Sequence, residues 1–161
     1  LLQEATEEVR RISHDLYEGS LAQFGYVSAF NQLKDAIEAA NPIKIHFEPN
    51  DLPEVYYKEF ETELYRITQE LLSNTLKYAE AGKIEIIFTL LEEQFIFQYC
   101  DDGKGFNLEK VNQGAGIGFK NIRDRVTRIG GEMKLNSEPE GGMQFQLKVK
   151  ASHGGNKDDF S

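Results

Sequence analysis

Three short stretches, met in a fixed order, limit what this chain can fold into. Glu70-Leu71-Leu72-Ser73-Asn74-Thr75-Leu76-Lys77 reads as a helix with a carboxylate, an amide and an amine on one side. Asp101-Asp102-Gly103-Lys104-Gly105 ends a strand with an acid and two glycines. Gly114-Ala115-Gly116-Ile117-Gly118 is a glycine-rich loop running straight into a helix. A fold that uses all three brings a helix face, a strand end and a loop to one place, and the chemistry they share there is that of a nucleotide with a divalent cation.

The rest of the pattern sets the fold class. Leu2, Ala5, Val9, Ile12 and Leu16 step by three and four, the seam of a coiled coil or bundle, which needs a partner helix to bury it. Ser20 is placed to cap a second helix whose apolar stripe is Phe24, Val27, Phe30, Leu33 and Ile37, with Gly25 as a possible kink and Asn41-Pro42 as its stop. Ile43, Ile45 and Phe47 alternate as in a half-buried strand. A helix is expected over 54–80, with Phe60, Leu64, Ile67 and Leu71 inward. Strands follow near 83–90 and 94–100, joined at Leu91-Glu92-Glu93. Phe106–Val111 reads as a short mobile lid. A helix is expected from 117 to 129, ending at Gly130-Gly131, and a closing hairpin turns at Pro139–Gly142 with Phe145, Leu147 and Val149 inward. Helices separated from mostly antiparallel strands imply a two-layer α/β sandwich rather than regular βαβ alternation.

Composition removes several function classes. Net charge is −9, from 27 acids against 18 bases, so phosphate backbones and anionic lipid surfaces are poor partners. No apolar run reaches membrane-spanning length. The single cysteine, Cys100, forms no intrachain disulfide, and with three scattered histidines a structural zinc site is not expected. Its place in an apolar run reads as a buried, inert thiol. The first residue, Leu1, reads as the start of a fragment, so a membrane anchor in the longer protein stays open.

Each motif has a plain alternative. Glu70, Asn74 and Lys77 at i, i+4 and i+7 share one helix face, which by itself is compatible with solvation. Asn74 offers magnesium an uncharged oxygen, Glu70 a base, and Lys77 a phosphate contact. Asp101 can accept a hydrogen bond from an exocyclic amine such as adenine N6, although Asp-Gly also makes an ordinary turn. Gly103 and Gly105 let the backbone pass close to a ring or take positive φ. Gly114, Gly116 and Gly118 bare their N–H groups ahead of a helix N-terminus, a natural place for polyphosphate, with Lys120, Arg123 and Arg125 adding charge. No Gly-Lys-Ser/Thr follows, so the loop is not a Walker A motif.

Taken together these stretches resemble the N, G1 and G2 boxes of the Bergerat-fold ATPases shared by gyrase, Hsp90, MutL and histidine kinases. The resemblance covers about 43–150. Gly116–Val126 is most similar to sensor histidine kinases of the nitrate-sensor and DesK-like type. It implies a Bergerat-type sandwich of a mixed sheet and helices, with an N-terminal helical appendage from a dimerisation bundle. The expected partition is appendage and linker over 1–40, ATP-binding catalytic domain over 41–150 and a disordered tail over 151–161. It implies ATP and Mg as cofactors, Asn74 as metal ligand, Asp101 as adenine reader, the G2 glycines along the phosphates, and Glu70 as the catalytic residue assisting transfer to a histidine. It also implies a response regulator and a second copy's dimerisation helices as partners, in the cytoplasm. His14, within Arg10–Leu16, is one candidate acceptor. The stretch Val9–Leu33 is more similar to the second helix of the dimerisation hairpin, which would leave the acceptor on a helix absent from this chain. A Thr common in the family after the closing-hairpin glycines is replaced by Met143. The rival readings are a Bergerat-type serine kinase of the anti-sigma kind and a nucleotide-binding dimerisation scaffold without enzyme activity.

Overall fold

A computed structural model describes residues 20–50, 58–112 and 117–151. The seam helix over 1–17, His14, Gly114, Gly116 and the tail from 152 lie outside the described residues. Helix α1 (Ala22–Ala40) leads to β1 (Lys44–Glu48). Helix α2 (Lys58–Asn74) continues into a π-helical turn, Thr75–Ala79. The hairpin β2 (Lys83–Leu91) and β3 (Gln94–Asp101) follows. Then come α3 (Leu108–Asn112), α4 (Ile117–Arg128), β4 (Glu132–Ser137) and β5 (Met143–Lys150).

The five strands form one mixed sheet in the order β1-β2-β3-β5-β4. Only β1 and β2 run parallel, and every other neighbouring pair is antiparallel. Period-two alternation sends Ile84, Ile86 and Phe88 of β2, Phe95, Phe97 and Tyr99 of β3, and Phe145, Leu147 and Val149 of β5 into one core. That core is completed by Leu64, Ile67 and Leu71 of α2 and Ile122 and Val126 of α4. The other face of the sheet carries Glu85, Gln98, Gln144 and Cys100. The two-layer α/β arrangement expected from the sequence is therefore present.

Two expectations at the N-terminal side need correction. Phe24, placed in the buried stripe by spacing, is 62% exposed. Gly25 adopts φ 79° and breaks the helix at the expected kink; Phe30, Leu33 and Ile37 of the expected stripe face inward, with Tyr26 and Ala29 beside them in place of Phe24. Ser20 does not cap the helix: its hydroxyl donates to the Gln32 side chain at 3.0 Å. The inward residues of α1 belong to the same core as the sheet, so packing shows no break at residue 40. Tyr26 stacks beside Phe30 and approaches Phe88, and its hydroxyl meets Thr68 Oγ1 of α2 at 2.7 Å.

The expected lid region is partly ordered by its own sequence. Asn107 Oδ1 accepts the N–H of Glu109 (2.9 Å) and of Lys110 (3.4 Å), an N-cap that starts the short helix α3. The β2–β3 turn places Glu92 and Glu93 at φ 47° and 63°, the geometry of a two-residue hairpin whose twist suits the strands.

Candidate nucleotide-binding site

Glu70 and Asn74 lie one turn apart on α2, and both are half-buried. The first turn of α4 closes on them. A β-carbon on Gly118 would stand 3.2 Å from Asn74 Nδ2, 3.4 Å from Asn74 Oδ1 and 3.6 Å from Glu70 Oε2. Glycine at 118 thus allows the N-terminus of α4 to lie directly over the polar face of α2. Neither Glu70 nor Asn74 has a hydrogen-bond or ion-pair partner among the described residues, so both retain their polar groups for a ligand. The π turn begins right after Asn74, and Lys77 lies inside it. The α-helical i to i+7 relation that aligned Lys77 with Glu70 therefore does not carry over.

Asp101 is the last residue of β3 and is 8% exposed. Thr75 Oγ1, immediately after Asn74, donates to its Oδ2 at 2.9 Å. The Gly103 N–H donates to its Oδ1 at 2.9 Å. Tyr99 Oη meets Thr75 Oγ1 at 2.7 Å, and burial pushes the Tyr99 phenol well above the ordinary tyrosine range. Through Thr75 the acid at the strand end is tied to the residue next to Asn74, so the helix motif and the strand motif meet. Asp102 has a different task. Its Oδ1 accepts the N–H groups of Gly82 (2.9 Å) and Lys83 (2.8 Å), closing the turn between α2 and β2.

The glycines of the second motif are held by protein neighbours. At Gly103 a β-carbon would run into the carbonyl oxygen of Ala79, the last residue of the π turn. Gly105 has φ 61°, and a β-carbon there would meet the carbonyl oxygen of Glu138. Met143 is buried at the start of β5, across from Asp101.

The basic residues of α4 divide. Arg125 binds Glu63 of α2 at 2.7 Å, with Arg128 on the other oxygen at 3.5 Å. These contacts fasten α4 to α2 and set Gly118 against Asn74. Lys120 pairs with Asp124 at 3.2 Å. Of the three cations expected near phosphate, Arg125 is therefore committed to Glu63. Phe106 and Phe119 pack with ring centroids 5.6 Å apart, joining the segment before α3 to the first turn of α4.

Sequence reasoning missed Thr75, Tyr99 and Glu63. Thr75 follows Leu64, Thr68 and Leu71 in the buried stripe, and a hydroxyl at such a position was the available signal.

Comparison with known proteins follows the same lines. Residues 59–153 match the family model described as Histidine kinase-, DNA gyrase B-, and HSP90-like ATPase. Oxygen sensor histidine kinase NreB of Staphylococcus carnosus is 29% identical over 143 residues, covering 89% of this chain and 41% of the relative. Sensor histidine kinase LiaS of Bacillus subtilis is 30% identical over 146 residues, covering 91% of this chain and 40% of the relative. The chain therefore spans about two fifths of the length of these relatives. In structure it resembles the histidine kinase domain of the Erythrobacter litoralis blue-light activated histidine kinase, with TM-score 0.66 and 12% identity over 93% of this chain and 94% of that one. At that identity the likeness speaks for the fold.

Proposed function

The chain belongs to the histidine kinase-, DNA gyrase B- and HSP90-like ATPase family, and from that premise we propose that it is the ATP-binding catalytic domain of a two-component sensor histidine kinase. The observation that carries this reading is the meeting of α2, the end of β3 and the start of α4: Gly118 over Glu70 and Asn74, and Asp101 bonded to Thr75. The residues fit a magnesium nucleotide. Asn74 and Glu70 have no partner among the described residues, the first turn of α4 is free of a side chain at Gly118 where it faces them, and the Asp101 oxygens each hold one donor and keep lone pairs for another.

In this reading Asp101 accepts the adenine amine, while Gly103 and Gly105 shape the turn beside it. Gly114, Gly116 and Gly118 offer backbone N–H groups to the phosphates at the N-terminus of α4. Lys77, although off the α-helical alignment with Glu70, is proposed as an additional cation for the phosphates. No group of three His, Cys, Asp or Glu side chains among the described residues suits a metal ion. Magnesium would accordingly be held by Asn74 together with phosphate oxygens, and when bound it would neutralise charge on the transferring phosphoryl group. Glu70 stands one turn from Asn74, where it can take the proton of the attacking nucleophile. Catalysis by these residues is mostly positioning.

The acceptor in this proposal is a histidine on a dimerisation helix, and the phosphoryl group passes on to a response regulator. The site is placed in the cytoplasm. No helix among the described residues is long and apolar enough to cross a membrane. The partition into appendage, ATPase domain and tail is proposed with one refinement: residues 20–40 fold with the ATPase core.

Titration of the chain with ATP tests the reading. Binding is expected to strengthen with magnesium, Asn74→Ala to abolish that dependence, and Asp101→Ala to weaken binding at least tenfold, about 1.4 kcal/mol. Magnesium-independent binding indifferent to both substitutions overturns it.

A further inference from the structure

Tyr99, Thr75 and Asp101 form one buried chain of hydrogen bonds. All three side chains are buried, and they come from two elements. Their hydrogen positions follow from counting. Thr75 has one hydroxyl proton, and the Asp101 carboxylate can only accept. At 2.9 Å Thr75 gives that proton to Asp101 Oδ2, so the proton in the 2.7 Å contact with Tyr99 comes from the phenol. Burial keeps the phenol protonated at any physiological pH. The result is a one-way relay, Tyr99 O–H to Thr75, Thr75 O–H to Asp101 Oδ2, with the Gly103 N–H on Oδ1 from the other side. Each carboxylate oxygen has one fixed donor and so one direction left for a ligand. Reversing the relay would leave Asp101 facing a lone pair, which a buried carboxylate does not tolerate.

We propose that Thr75 and Tyr99 are positioning residues that lock the Asp101 carboxylate in the orientation in which it accepts a purine 6-amino group. This rests on the reading that Asp101 is the adenine contact. Thr75 is also the residue after Asn74, so one helical step fixes the spacing between the amine acceptor and the metal-side amide. Selectivity for an amino-purine is then set partly by a hydroxyl that never touches the base.

The experiment compares the magnesium-dependent binding of ATP with that of purine riboside triphosphate, which lacks the 6-amino group. The full chain is used as wild type, Thr75→Val, Thr75→Ser, Tyr99→Phe, the Thr75→Val/Tyr99→Phe double variant and Asp101→Asn. Thr75→Val is expected to weaken ATP about tenfold and the analogue hardly at all, so the preference for ATP falls. Thr75→Ser, which keeps the hydroxyl, is expected to restore that preference. Tyr99→Phe is expected to give a smaller fall, about threefold, in the same direction. If Thr75→Val fails to fold because it orphans the Tyr99 phenol, the double variant removes both hydroxyls and reports the same loss of preference. Equal weakening of both nucleotides, or an unchanged preference in Thr75→Val or the double variant, overturns the proposal. If Asp101→Asn itself leaves the preference intact, the adenine reading has failed and this inference with it. If Asp101→Asn destroys the preference and the hydroxyl variants do not, only the relay is wrong.

Discussion

At the scale of single residues, neighbouring main-chain carbonyls require glycine at several positions. Gly142 has φ 69°, and a β-carbon there would strike the carbonyl oxygen of Asp101. Gly130 has nearly the same φ, 66°, with open space around it. Alanine at 130 meets only the backbone penalty, about 1 kcal/mol, whereas alanine at 142 adds a clash with main chain. Urea unfolding should therefore show Gly142→Ala losing more than about 2 kcal/mol and Gly130→Ala roughly half of that. Equal losses would mean that the hairpin yields and that Asp101 is less firmly placed than its bonds suggest. The sequence made Asp101 legible, because an acid closing an apolar alternating strand has few places to go. Glycine was legible only as a need, without its cause: a φ value and a neighbour distant in sequence leave no mark on local composition. Thr75 was overlooked for a related reason. A small hydroxyl residue in a buried stripe is compatible with ordinary helix packing, and its partner lies 26 residues on.

Elements are placed by contacts between them more than by their own propensities. The α1–β1 connection is an example. Glu38 Oε1 accepts the N–H of Ile45 at 2.8 Å, and Lys34 stands 3.5 Å from the other oxygen. The Ile45 N–H first, and the lysine second, hold this carboxyl below its ordinary value of 4.5. A lowered folded value stabilises the protein above the unfolded pKa, and the gain fades as pH falls through the folded one. Glu38→Gln should accordingly lower the thermal midpoint at pH 7, and the gap to wild type should close as the medium is taken below pH 4.5 toward 3. A gap independent of pH would assign the effect to shape rather than charge. Periodicity located the long helices and the five strands but not the short helix α3, which was read as a lid, and it misjudged the edge of a stripe where the helix departed from 3.6 residues per turn. Gly25 broke α1 and left Phe24 outward; the π turn after Asn74 displaced Lys77 from its expected alignment. The kink at Gly25 was legible but not its effect on Phe24, and the π turn has no period that a sequence window can detect.

For the whole molecule, α1 is a structural part of the sheet domain. Tyr26, Phe30, Leu33 and Ile37 lie in the core beside Phe88 and Ile45, and the Tyr26 hydroxyl bonds to the helix that carries Glu70 and Asn74. A chain cut to begin at residue 41 would bare that aromatic cluster, a loss of several kcal/mol for Phe30 alone. It should fail to give a cooperative unfolding transition by circular dichroism, and normal unfolding of the cut chain would separate α1 from the core after all. The two-layer class and the positions of the strands along the chain were accessible from alternation and spacing, while the order β1-β2-β3-β5-β4 in the sheet came only with the structure. Assignment of 20–40 to the core was not accessible, because an apolar helix stripe does not say which surface covers it, and the helix was grouped with the seam upstream of it. Strand β1 ends at Glu48, and its sole neighbour in the sheet starts at Lys83. On a ribosome the first helix and first strand emerge long before the strand they dock against, carrying Phe30 and Phe47 uncovered. Synthesis from the N-terminus must therefore shelter this early apolar surface until the parallel pair can close, and folding of the domain waits on its later hairpin.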